Sequence, residues 1–91
     1  MRPSATPTIR LQAQVKNAVT DTRSDVCEHK LAGIKALYAL ADKPEAAAFL
    51  KSAGAWNAVY DINAAVILRH RCLSEDIVRK TDTALAKVER E

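Results

Sequence analysis

Two cysteines and two histidines are the residues of this chain most suited to chemistry. They come as mirrored triplets, Cys27-Glu28-His29 and His70-Arg71-Cys72. Two Cys and two His can hold a tetrahedral zinc ion. The spacing works against it. Cys27 and His29 fall within a segment that reads as a helix, where residues two apart point about 200° apart around the axis. They cannot both face one ion without unwinding, and helical ligand pairs stand three or four apart. A Cys27–Cys72 disulfide is open only to a chain in an oxidising compartment. The preferred reading makes Cys27 a small buried apolar residue and puts His29 and His70 near helix edges.

Other chemistries find less support. The serines lie near the N-terminus, at candidate helix caps or beside Gly54, so no nucleophile has a base and an orienting group at hand. The two glycines, Gly33 and Gly54, are too far apart for a phosphate-cradling loop. Glu75 and Asp76 are explained by a helix N-terminus, whose partial positive charge favours carboxylates. No catalytic residue, cofactor site or metal site is assigned, and the chain reads as a non-enzyme. Arg69, Arg71, Arg79 and Lys80 form a basic cluster. It suits phosphate contacts on RNA or a lipid headgroup. It equally suits a solvated rim neutralised by Glu75 and Asp76, which is the preferred reading.

Charge is distributed unevenly. Met1 to Thr20 contain Arg2, Arg10 and Lys16 and no acidic residue, while the rest of the chain balances its charges, so the formal +3 resides in this segment. Basic residues, Ser4, Thr6 and Thr8, and an amphipathic stretch from Ile9 to Val19 look like a mitochondrial address or an interaction arm. A cytoplasmic location is the alternative. Residues 1–22 are accordingly read as a basic leader and 23–91 as the folded body.

That body must position whatever functions here. Ninety-one residues make one small domain, and Tyr38, Phe49, Trp56 and Tyr60 are its only aromatics. Small side chains bury little apolar area, so a lone core is marginal and a partner is expected. No stretch reaches the eighteen apolar residues of a membrane span.

Helix signals recur along the body. Cys27, Leu31, Ile34, Tyr38 and Ala41 repeat at intervals of three and four, predicting a helix over 24–41 capped by Thr22 or Ser24. Asp42-Lys43-Pro44-Glu45 reads as a break and capping box, with Gly54 ending the short helix that follows. Trp56, Val59, Ile62, Val66 and Ile67 mark a helix over 55–70. Leu73-Ser74-Glu75-Asp76 opens another, with Ser74 as cap, Leu73 stapled to Val78, and Val78, Thr81, Leu85 and Val88 on one face. The predicted core is Leu31, Ile34, Tyr38, Phe49, Trp56, Val59, Ile62, Val66, Leu73 and Leu85.

The stretch from Gly54-Ala55-Trp56-Asn57-Ala58-Val59-Tyr60-Asp61-Ile62-Asn63 to His70 resembles a helix-bundle family. That family includes the C-terminal domain of the steroid receptor RNA activator protein and the C-terminal helical domain of the outer COPII coat subunit. The resemblance covers residues 30–88, and the helices of that family are longer where this chain has Asp42 to Ser52. It implies a non-catalytic helical module for protein or RNA assemblies, and a trafficking or coat adaptor role as one form of it.

The expected fold is all-α: a small antiparallel bundle of four to five helices with a basic N-terminal arm. The expected function is that of a non-enzymatic accessory or scaffold subunit of a multi-protein complex. Its partners would be other protein subunits, and the rival reading is an RNA-associated module of a ribonucleoprotein particle.

Overall fold

The computed structural model describes residues 6–69 and 72–90, and their side chains over 9–64 and 72–90. Within these it is all-helical and has no strand. Helix α1 spans Thr6–Thr22, α2 Cys27–Ala41, α3 Ala47–Ala53, α4 Ala55–Arg69 and α5 Glu75–Arg90, and a single 3-10 turn at Pro44–Ala46 leads into α3.

The N-terminal segment is not an appendage. Val15, Ala18 and Val19 of α1 lie in the same buried cluster as Ile34, Leu37, Val59 and Leu85. The division at residue 22 therefore does not separate a leader from a body. Pro7 stands in the first turn of α1, where its missing N–H leaves no helical bond unmade. Arg10 and Lys16 lie on the exposed face of α1, and Arg2 falls outside the described residues.

The α1–α2 contact is set by one residue without a side chain. A Cβ on Gly33 would lie 2.6 Å from the Ala18 carbonyl oxygen, 2.6 Å from the Thr22 backbone nitrogen and 2.5 Å from Thr22 Oγ1. Two of these atoms are backbone and cannot rotate away. Thr22 Oγ1 is itself held, donating to the Ala18 carbonyl at 2.8 Å. Lys30 completes the junction. Buried along its stem, it donates from Nζ to the Thr22 carbonyl at 3.2 Å and so satisfies an oxygen at the end of α1. Gly33→Ala is expected to lower stability by ~1–2 kcal/mol, the overpacking cost less the helix propensity that Ala regains. Urea unfolding of the two proteins checks this, and a Gly33→Ala variant more stable than wild type would mean the helices can part freely.

This close approach also turns α2 relative to its expected orientation. Its buried stripe is Lys30, Gly33, Ile34, Leu37 and Leu40. Leu31 is only half-buried, and Tyr38 is 44% exposed, so Tyr38 leaves the core list. The stripe is centred where Gly33 lets α1 come nearest, rather than on the larger side chains.

Caps differ from expectation as well. α2 begins at Cys27, and its cap residue Val26 provides no side-chain acceptor. Ser24 Oγ accepts instead from the Val26 N–H at 3.0 Å, while Thr22 belongs to the last turn of α1. Asp42 does not cap the next helix. It closes α2, its N–H donating to the Ala39 carbonyl at 3.3 Å while the Lys43 N–H donates to that of Leu40 at 3.0 Å. Two signals read from sequence are met. Gly54 adopts the left-handed conformation (φ 71°) at the end of α3. Ser74 Oγ accepts from the Asp76 N–H at 3.2 Å at the start of α5.

Ile34, Val59, Ile62, Leu73 and Leu85 are buried as expected, as is the α5 face of Val78, Thr81, Leu85 and Val88. Phe49 and Trp56 are partly buried and pack against the core. Val66 lies outside the described side chains. Leu37, Leu40, Leu50 and Val15 supply buried bulk that the predicted list omits.

Candidate functional site

Helix α2 ends at the Pro44 turn, and α5 runs alongside. Between them opens a groove of about 710 Å³. Tyr38 stands in it from the α2 side. Its cationic lining is Lys43, Arg79, Lys80 and Lys87, set against the carboxylates of Asp42 and Asp76, with alanines and Val88 as apolar floor. Four cations against two carboxylates leave the lining with an excess of two positive charges.

Two of these cations have partners. Arg79 Nη2 lies 2.7 Å from Glu75 Oε2, and Lys80 Nζ lies 3.3 Å from Asp76 Oδ2, both one helical turn apart along α5. Glu75 and Asp76 thus neutralise Arg79 and Lys80, the two members of the expected basic rim that lie on α5. Such exposed pairs contribute only about 0.3–0.5 kcal/mol each, so an incoming anion can replace either carboxylate at little cost. Among the described residues Lys43 and Lys87 make no ion pair. The side chains of Arg69 and Arg71, the other half of the predicted basic cluster, lie outside the described ones.

A second polar arrangement joins α4 to α5. Asp82 accepts from Trp56 Nε1 at 2.6 Å through Oδ1 and from Asn63 Nδ2 at 2.7 Å through Oδ2. Trp56 and Asn63 are seven apart, two helical turns, and so share a face. Both oxygens of one carboxylate are engaged, and the arrangement orients helices rather than leaving a reactive group free. Tyr60 lies on the same side of α4, 54% exposed, its ring centroid 5.7 Å from that of Trp56. Sequence reading missed Asp82. The available signal was Trp56 itself, because a partly buried indole N–H needs an acceptor.

The mirrored cysteines meet. Cys27 and Cys72 form a disulfide with Cα atoms 6.1 Å apart, within the usual range. Sulfurs bonded to each other do not serve as thiolate ligands for zinc. Among the described residues no group of His, Cys, Asp and Glu is placed to hold a metal ion, and no helix is long and apolar enough to cross a membrane. His70 falls outside them.

No protein-family model, curated protein or solved structure matches this chain.

Proposed function

We propose that this chain is a non-enzymatic accessory subunit that binds a segment of a partner protein in the α2–α5 groove. The observation that carries the reading is Tyr38. A large amphipathic side chain held outside the core, over an apolar floor and within a cationic rim, has the composition of an interface anchor. The matching segment carries an apolar side chain for the floor and carboxylates for Lys43 and Lys87. In this reading α1–α2 and α4–α5 each pack antiparallel through their short turns, and the exposed Arg10 and Lys16 of α1 add basic surface to the bundle. The likeness of α4 to helical assembly modules supports the same class of role.

The mitochondrial address belongs to this proposal only in an uncleaved form. Removing residues 1–22 would strip Val15, Ala18 and Val19 from the core. The Cys27–Cys72 bond points to an oxidising compartment.

A ribonucleoprotein role is the second reading, and exposed aromatics favour it. Tyr38 and Tyr60 both present rings to solvent, where bases stack. Salt separates the two readings, because phosphate binding falls steeply as salt rises. Subunits co-purified at high salt would be identified and titrated individually against the chain. Tyr38→Ala is expected to weaken the true partner about tenfold, the scale of an anchor residue, while the circular dichroism melt stays within a few degrees of wild type. Retention of RNA at low salt only, with no protein partner, would overturn the protein-docking reading.

A further inference from the structure

Four large apolar side chains stand exposed among the described residues: Ile9, Val26, Tyr38 and Tyr60. Tyr38 belongs to the groove. Of the other three, only Val26 has two exposed carboxylates within two residues, Asp25 before it and Glu28 after it. Ile9 has none, and Tyr60 has Asp61 alone. The turn that presents Val26 is fixed on both sides. Ser24 Oγ accepts from the Val26 N–H, the Val26 carbonyl accepts from the Lys30 N–H, and the next residue, Cys27, is bonded to Cys72. An apolar knob already held in place loses little freedom on docking. Among the described residues Asp25 and Glu28 make no ion pair, as Lys43 and Lys87 in the groove make none. From Asp21 to His29 three carboxylates stand against one arginine, and Lys30 is turned inward to the Thr22 carbonyl. The excess of two negative charges mirrors the excess of two positive charges that lines the groove.

We infer that the occupant of the α2–α5 groove is a second copy of this chain, entering with Val26 against the apolar floor and with Asp25 and Glu28 toward Lys43 and Lys87. The inference rests on the reading of the groove as a protein-docking site and names the partner. A chain cannot fill its own groove in this way. Helix α2 rises about 21 Å from Cys27 to Ala41, and that rigid length holds Val26 away from the floor at Ala41. Knob and groove are different surfaces, so the contact is heterologous and passes from copy to copy. It is also small, and a Kd of about 0.1 mM is expected for it.

The test is sedimentation of the oxidised full chain over a range reaching about tenfold above that Kd. The weight-average mass of the wild-type protein should climb from 9.9 kDa to twice that value or more. Two variants should stay monomeric throughout. Val26→Ser removes the knob, and because Ser is a better helix cap than Val the loss cannot be laid to a weakened fold. Lys43→Glu/Lys87→Glu reverses the groove cations, both on exposed side chains. The deciding arm mixes the two variants in equal amounts. One supplies an intact groove and the other an intact knob, so association should return and stop at a one-to-one pair. A wild-type chain that remains monomeric, a variant that associates like wild type, or a mixture that remains monomeric overturns the inference. A monomeric wild-type chain that still binds a co-purified subunit through Tyr38 overturns the second copy as occupant and leaves the docking reading standing.

Discussion

Reduction of the Cys27–Cys72 bond is expected to lower the melting midpoint by roughly 15–30 °C, through a loss of about 4 kcal/mol of stability. The bond closes a loop spanning 45 positions. Without it the unfolded chain regains the freedom that this closure removes, and the cost grows with the logarithm of loop length. A small domain has only about 5 kcal/mol in total, so the reduced chain should be marginal near body temperature. Melting followed by circular dichroism, with and without a phosphine reductant, measures the effect. A Cys27→Ser/Cys72→Ser chain should melt with the reduced protein. If reduction moved the midpoint by less than about 3 °C, well below the loop estimate, the bond would not be constraining the unfolded state.

Trp56→Ala is expected to remove about 3 kcal/mol, at the low end for a buried tryptophan because this ring is only partly covered. Two losses combine. The ring leaves its packing against the core, and Asp82 Oδ1 loses its donor. Trp56→Phe separates them, keeping most of the bulk while removing the N–H. Its cost should be about 1–2 kcal/mol, the scale of a hydrogen bond to a charged acceptor with some exposure to water. A double-mutant cycle of Trp56→Phe with Asp82→Ala should give a coupling of about 1 kcal/mol. Zero coupling would show that the indole–carboxylate contact contributes nothing. A Trp56→Ala protein with the wild-type urea midpoint would make Trp56 a surface anchor and remove it from the fold's support.

Helix positions were readable because their signals are local. Ser74 before two carboxylates, Gly54 after Ala53, and the spacing of Val78, Thr81, Leu85 and Val88 each depend on a few neighbouring residues, and each is realised. The orientation of α2 was not readable. Leu31 and Tyr38 have the bulk of core residues, yet the helix turns on Gly33, whose importance lies in atoms of α1 that are distant in sequence. The same limit hid the role of α1. A basic, acid-free segment looks like an address, and only the burial of Val15, Ala18 and Val19 shows it to be part of the bundle. The groove escaped for the converse reason: moving Tyr38 out of the core is what places it in the groove. Cys27 and Cys72 were visible as a pair, but their approach depends on how α2 packs beside the entry to α5.

The chain contains one tryptophan. Its indole is tied to α5 through Asp82 and stands 5.7 Å from the Tyr60 ring on its own helix. The unlabelled protein therefore carries two optical gauges. Energy passed to Trp56 from Tyr38, which is distant in sequence, follows the compactness of the chain, because Tyr60, four residues away, stays within transfer range even in an unfolded chain. The colour of the indole emission follows the contact between α4 and α5, shifting toward red as water replaces the carboxylate. Stopped-flow fluorescence can thus time the parting of these two helices separately from the expansion of the whole chain.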